Sequence, residues 1–168
     1  TLWDLNGNQI RTFKGHSSIV TSVAFSPDGK YVLTGSSDEM TLWDLSGNQI
    51  RAFKGHSSGV VSVAFSPDGK YVLTGSADRT AIIWDLSGNQ IRNFRGHSWT
   101  VTSVAFSPDG KYALTGNYDS IAVIWDLNGN QVLTLKSSSS VVHSVAFSPD
   151  GKHVLAGITD KRPVIWDL

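Results

Sequence analysis

One triplet, Trp-Asp-Leu, organises this 168-residue chain, because it recurs at residues 3–5, 43–45, 84–86, 125–127 and 166–168. Successive copies are 40 or 41 residues apart, and the sequence between them repeats as well. A fixed period near 40 residues indicates one supersecondary unit copied along the chain. Such units bury their apolar faces only by stacking on one another. The sequence therefore predicts a single repeat-built domain over residues 1–168.

Each repeat has the pattern of four short antiparallel strands joined by tight turns. Segments such as 19–25 and 31–34 are apolar and β-branched, as strands are. A Ser-Pro-Asp-Gly turn follows at 26–29, 66–69, 107–110 and 148–151, and an Asn-Gly or Ser-Gly pair follows most Trp-Asp-Leu triplets. That pair predicts a two-residue hairpin with positive φ at both turn positions. We expect an all-β fold with units at about 19–53, 60–94, 101–135 and 141–168, and an outer strand at 8–13.

Composition narrows the classes of function. The 14 Lys and Arg residues balance the 14 Asp and Glu residues, which argues against nucleic acid or an anionic membrane as the main partner. The chain has no Cys, so disulfides, thiol catalysis and Cys-bound metals are excluded. No signal-like or long apolar segment is present, which favours a cytoplasmic protein. The missing initiator Met indicates trimmed ends or a piece of a longer chain.

Three Gly-His pairs, at 15–16, 55–56 and 96–97, precede Ser-Pro-Asp-Gly turns and Trp-Asp pairs. This combination resembles the WD-repeat β-propellers over essentially the whole chain. The nonapeptide Ser-Val-Ala-Phe-Ser-Pro-Asp-Gly-Lys occurs four times unchanged, so the array resembles a recently amplified or engineered propeller. The resemblance implies four-stranded antiparallel blades, four repeats per chain, and a non-catalytic scaffold for protein interaction.

The resemblance also implies a buried hydrogen-bonded chain within each blade, from Trp through Ser or Thr to His and Asp. Each His recurs once per repeat, too far from the others to share a metal, and no acids or bases converge. We therefore expect no catalytic residue, metal or cofactor. The implied networks are His16, Thr34, Asp38 and Trp43; His56, Thr74, Asp78 and Trp84; and His97, Thr115, Asp119 and Trp125.

The fourth copy departs from this pattern. Ser137 and Ser138 replace Gly-His and Ala156 replaces the Thr, whereas Asp160 and Trp166 remain. A buried hydrogen-bond network with some partners missing is less stable than an apolar core without one. The loss of two partners together is therefore consistent with a structural role for the network. We expect the fourth blade to be the loosest, with Asp160 turned to water or backbone.

Sequence variation is concentrated in the loops before the innermost strand and in those between the second and third strands. In the family, partners usually dock on the face that carries these loops. Alternatively, Trp99 only covers the edge of the next blade and the differences are drift after copying. The candidate partner-binding residues are Trp99, Tyr118, Arg79, Met40 and Arg162.

Two functions remain open at this point: a scaffold presenting its loop face to a protein or peptide, or a purely structural, engineered or amplified self-assembling module without a ligand. Four blades span about half a ring, so we expect a homodimer that closes eight blades about a two-fold axis. Strand 8–13 would complete the neighbour's fourth blade by strand exchange. Segments 1–5 and 163–168 would then compete for one strand position. A longer parent chain is the alternative to the dimer.

Overall fold

The computed structural model describes residues 1–137, 141–159 and 162–168, which form antiparallel sheets in sequence order. An N-terminal hairpin pairs β1 (Leu2–Trp3) with β2 (Gln9–Arg11). Blade one contains β3 (Val20–Phe25), β4 (Tyr31–Ser36), β5 (Met40–Asp44) and β6 (Gln49–Phe53). Blade two contains β7 (Val60–Phe65), β8 (Tyr71–Ser76), β9 (Thr80–Asp85) and β10 (Gln90–Arg95).

Blade three has β11 (Val101–Phe106), β12 (Tyr112–Asn117), β13 (Ile121–Asp126) and β14 (Gln131–Lys136). In blade four the described strands are β15 (Val142–Phe147), β16 (His153–Ile158) and β17 (Val164–Asp167). Each strand within a blade pairs with the next along the chain. The prediction of an all-β chain of antiparallel blades is confirmed. The described part of the chain contains no helix long and apolar enough to cross a bilayer.

The turns have the residues that their backbone requires. In the Ser-Pro-Asp-Gly turn of blade one, the Gly29 N–H donates to the Ser26 carbonyl at 2.9 Å, and Asp28 accepts from the Ser26 hydroxyl at 2.7 Å. Gly29 has a φ of 70°, the left-handed conformation that glycine adopts without strain.

The prediction of a two-residue hairpin after the first four Trp-Asp-Leu triplets is wrong. In the first of these turns Gly7 has a positive φ, at 83°, whereas Asn6 does not. The Asp4 N–H donates to the Asn8 carbonyl at 2.9 Å, which closes a loop of residues 5–7. A register shift follows in the pairing of β1 with β2. The turn is thus a three-residue loop with a bulge, in which only glycine takes the left-handed position.

The hydrophobic core lies between successive blades. Leu33 and Leu42 of blade one are buried against Val60 and Val63 of blade two. The same positions meet between blades two and three and between blades three and four. Because each blade buries its apolar face on its neighbour, the blades form one stack in which equivalent loops emerge on the same side.

Candidate binding site on the loop face

The structure brings the expected network residues together in blades one and two. In blade two, Trp84 Nε1–H donates to Thr74 Oγ1 at 3.0 Å, Thr74 Oγ1 lies 2.7 Å from His56 Nε2, and His56 Nδ1 lies 2.9 Å from Asp78. Blade one repeats these contacts with Trp43, Thr34, His16 and Asp38 at 2.7, 2.7 and 3.0 Å. The carboxylate only accepts, so each His donates from Nδ1 and accepts the Thr hydroxyl at Nε2.

The blade-two network favours a neutral imidazole beside a charged carboxylate. Burial lowers the pKa of His56 below its ordinary value, and the hydrogen bond and charge of Asp78 only partly oppose this. Burial acts to raise the pKa of Asp78, but hydrogen bonds from Thr80, His56 and Ser57 outweigh it and hold that pKa below the usual range. The pair is therefore uncharged at His56 and charged at Asp78 near neutral pH.

Blade three contradicts the expected network at its last member. His97 Nε2 lies 2.6 Å from Thr115 Oγ1, and Trp125 Nε1–H donates to that oxygen at 2.8 Å, as expected. However, His97 Nδ1 contacts the side-chain amide of Asn117, not Asp119. Asn117 occupies the position of a serine in blades one and two, and its longer side chain reaches the imidazole first.

The Asn117 amide fixes the tautomer of His97. Asn117 Oδ1 accepts the backbone N–H groups of Asp119 at 3.2 Å and Ile121 at 3.3 Å, so its NH₂ group faces the ring. His97 Nδ1 must then accept, and Nε2–H must donate to Thr115, the reverse of the other blades. Burial lowers the pKa of His97 to about 4, with the charge of Asp119 acting in the opposite direction.

Asp119 is released from the network by this substitution. Its Oδ2 accepts the Ser98 N–H at a long 3.4 Å. Its Oδ1 is a buried atom for which no hydrogen-bond partner exists among the described residues. Buried carboxylate oxygens are normally paired, so this oxygen lacks the donor that its counterparts in blades one and two have.

Two exposed aromatic side chains lie on the same pair of loops as Asp119. Trp99 is 59% exposed and Tyr118 is 47% exposed. The Tyr118 N–H donates to the Thr100 carbonyl at 3.3 Å, which holds the two loops together. The Tyr118 ring also meets the His143 ring of blade four edge-on, with centroids 6.4 Å apart. We call Trp99, Tyr118, Asp119 and His143 the blade-three loop cluster.

The other predicted partner-binding residues lie on other blades than Trp99 and Tyr118. Arg79 is exposed and lines a groove with Arg95 and Asn93 at the rim of blade two. Arg162 is exposed on blade four. The prediction for Met40 is wrong: it is 1% exposed and packs in the core between blades one and two. Because the first repeat is one residue shorter, strand β5 already begins at Met40 and turns its side chain inward.

Three residues of this region carry a signal that was missed in the sequence. Asn117 replaces Ser36 and Ser76 of the earlier blades, and His143 stands where Thr21 and its equivalents stand. Arg95 replaces a lysine. Each is a departure from the repeat at a position next to a loop, and a comparison of the copies position by position would have found them.

Two of the residues in the blade-four prediction, Ser138 and Asp160, lie outside the described residues. Ala156 is fully buried in the core between blades three and four, in the position of the network threonines. An alanine there leaves Trp166 without the hydroxyl that the other blades supply.

The opposite face carries grooves that the fold itself generates. One is lined by Pro67, Tyr71 and Phe106 between blades two and three, and the next by the equivalent residues Pro108 and Tyr112 with Phe147. Because equivalent residues line both grooves, they arise from blade packing and do not mark a single specialised site. Among the described residues, no group of three or more His, Asp or Glu side chains is arranged to hold a metal ion.

A strained turn next to the cluster gives a test of local stability. Ser120 has a φ of 67°, although it is not glycine. We expect Ser120→Gly to raise the free energy of unfolding by about 1 kcal/mol, because glycine avoids the left-handed strain. Ser46→Gly is the control, since that serine also lies in a turn but lacks a positive φ. Chemical denaturation of both variants checks this; equal effects would contradict the strain.

These features define a class of protein: stacked antiparallel blades, three of them four-stranded and tied by a Trp-Thr-His chain, with variable loops on one face. The family described as "WD domain, G-beta repeat" matches residues 7–44, 47–85, 88–126 and 129–167. The chain therefore belongs to the WD-repeat family. Proteins of this family are typically non-catalytic scaffolds for protein interaction.

A curated relative is similar over a single repeat. The chain is 50% identical over 38 residues to the nuclear distribution protein nudF 2 of Penicillium rubens. This match covers 23% of the chain and 8% of the relative. The likeness therefore supports the family and does not extend to the whole relative.

Proposed function

We propose that the chain is a protein-interaction scaffold whose blade-three loop cluster binds a cationic side chain, lysine or arginine, of a protein or peptide. The single observation that carries this proposal is the buried Asp119 Oδ1, which lacks a hydrogen-bond partner among the described residues. In blades one and two the equivalent carboxylates accept from a histidine. In blade three Asn117 takes that role, so Asp119 Oδ1 is left without a donor. The residue as a whole is only half-buried, and a rotation of its side chain towards the surface would bring this oxygen to the ligand.

The surroundings of Asp119 suit a cation. Trp99 and Tyr118 present exposed aromatic rings on the two loops that also carry Asp119. A lysine or arginine over such a ring gains about 0.5–2 kcal/mol, and its N–H groups supply the donors that a carboxylate needs. Trp, Tyr and Arg are also the residues enriched at the centres of protein interfaces. The cluster thus combines an acidic acceptor with apolar contact area.

The proposal is tested with short peptides that differ at one central residue. We expect an arginine-centred or lysine-centred glycine peptide to shift the NMR signals of Trp99 and Tyr118, and a citrulline-centred peptide to shift them much less. Trp99→Ala and Tyr118→Ala should each weaken binding about tenfold. Asp119→Asn should remove the preference for charge.

A matched variant comes from the repeat itself. Asn117→Ser restores the residue of blades one and two, so Asp119 should pair with His97 and peptide binding should fall. Arg162→Ala, on blade four, should leave binding unchanged. Equal binding of charged and neutral peptides would contradict the cationic preference.

The near-identity of the copies favours a second candidate, a structural or amplified self-assembling module without a ligand. A fixed nonapeptide in four blades is what duplication without selection for a binding loop produces. Absence of any peptide effect on the cluster would support this module.

A further inference from the structure

The first blade exposes an apolar face that the other blades bury. Val23 of β3 is 66% exposed, whereas its equivalents Val63, Val104 and Val145 are at most 7% exposed. Val20 and Phe25 on the same strand are exposed as well. We call Val20, Val23 and Phe25 the head face. In blades two, three and four the equivalent residues pack against the preceding blade.

The fourth blade exposes the complementary face. Leu155 and Ile165 are 43% and 64% exposed, whereas the equivalent Leu73 and Ile83 of blade two are at most 3% exposed. In blade two these residues contact the valines of the following blade. We call Leu155, Gly157 and Ile165 the tail face. The three interfaces between blades within the chain therefore show which surface each exposed face would bind.

Gly157 gives independent support from shape. At Gly75 and Gly116 an added Cβ would lie 2.7 or 2.8 Å from two valines of the next blade, so these positions require glycine for close packing. At Gly157 the nearest side chain or backbone atom outside its neighbours would be Ser144 Cβ, at 3.9 Å. Nothing within the described chain requires glycine there, yet the tail face keeps the space that two valines fill elsewhere.

Hydrogen bonding between blades has the same directional pattern. The Val63 N–H donates to Ser22 Oγ of the preceding blade at 3.1 Å, and the Val145 N–H donates to Ser103 Oγ at 3.0 Å. Blade four has Ser144 at the acceptor position, and blade one has Val23 at the donor position. The two faces thus match in apolar contacts, in shape and in polar register.

We propose that the tail face binds the head face of a second copy of this chain, and that two copies close a ring through two identical head-to-tail junctions. The occupant is a second copy because the head face is the same surface that already fills the equivalent space at three interfaces. The contact is between two different surfaces, so it closes only when the last tail meets the first head.

The N-terminal hairpin completes the junction. Arg11 lies against Gly47 as Arg51 lies against Gly88 in the next blade, so the hairpin already occupies the outer half of a preceding blade. Phe13 also meets the Trp43 ring edge-on at 5.8 Å. Strand β17, by contrast, pairs with β16 alone and is only partly buried. In the junction, β1 of one copy therefore replaces β17 of the other beside β16, and Leu2 takes the place of Ile165 in the tail face, because Trp3 aligns with Trp166 in the repeat.

Light scattering of the 168-residue chain tests the proposal directly. We expect a mass twice the 18.2 kDa of one chain over a dilution series. Gly157→Ala should raise the dissociation constant of the dimer about a hundredfold, because its Cβ overlaps Val20 and Val23 of the second copy at both junctions. The same variant should keep the circular dichroism of the parent, since the added Cβ has space within one chain.

A mixing experiment separates head-to-tail contact from other dimers. Val23→Asp disables the head and Gly157→Ala disables the tail, so each variant alone should be monomeric. Mixed together, they keep one junction between two unaltered faces and should form a dimer. A parent mass of one chain, a dimer that Gly157→Ala leaves intact, or a mixture that stays monomeric would each overturn the proposal. The first result would mean that something other than a second copy covers these faces.

Discussion

Thr74→Val is expected to lower the free energy of unfolding by about 3 kcal/mol, because it leaves two buried groups without partners. The Thr74 hydroxyl accepts from Trp84 Nε1–H at 3.0 Å and donates to His56 Nε2 at 2.7 Å. Valine has nearly the same shape, so the packing changes little while both hydrogen bonds are lost. Urea denaturation followed by tryptophan fluorescence at pH 7 measures the effect.

Thr134→Val makes the same chemical change on an exposed outer strand and is the matched control, expected to stay within about 0.5 kcal/mol of the parent. The loss should also be less than additive with His56→Ala, since both variants break the same hydrogen-bonded chain. Additive losses would show that the residues of blade two act separately and would contradict the network.

The repeat made most of the fold predictable from the sequence. Turn residues and β-branched segments recur in every copy, so errors at single positions do not change the assignment of blades. The error at Asn6 has a local cause, because Asn-Gly is compatible with both a two-residue turn and a bulged loop, and only the pairing of β1 with β2 decides between them.

The candidate site was less predictable because it depends on differences of one residue. The network of blade two follows from the family pattern. In blade three, by contrast, the single residue Asn117 contacts His97 Nδ1 in place of Asp119. The prediction placed Met40 in an exposed loop. The turn before β5 is one residue shorter than in the other repeats, so β5 begins at Met40, and amino-acid composition does not indicate where a strand begins. The exposure of the head and tail faces depends on which neighbouring blade covers each strand, and the repeat periodicity does not indicate that.

Acid is expected to destabilise the chain through His97 by up to about 3 kcal/mol between pH 6.5 and pH 4. Burial lowers the pKa of His97 from 6.5 to about 4 in the folded chain. In that range His97 is protonated in the unfolded chain but not in the folded chain. The free energy of unfolding therefore has its full value above pH 6.5 and decreases as the pH falls towards 4. Urea denaturation at a series of pH values measures the slope.

Asn117→Ser identifies the residue responsible for this acid sensitivity. With serine at 117, His97 should donate from Nδ1 to Asp119, as His56 does to Asp78 in blade two. Its pKa should rise and the loss of stability on acidification should become smaller. Nitrogen NMR of the imidazole should show Nε2–H in the parent and Nδ1–H in the variant. If the parent already carries Nδ1–H, Asp119 is not released, and the acid slope and the cation site both lose their structural basis.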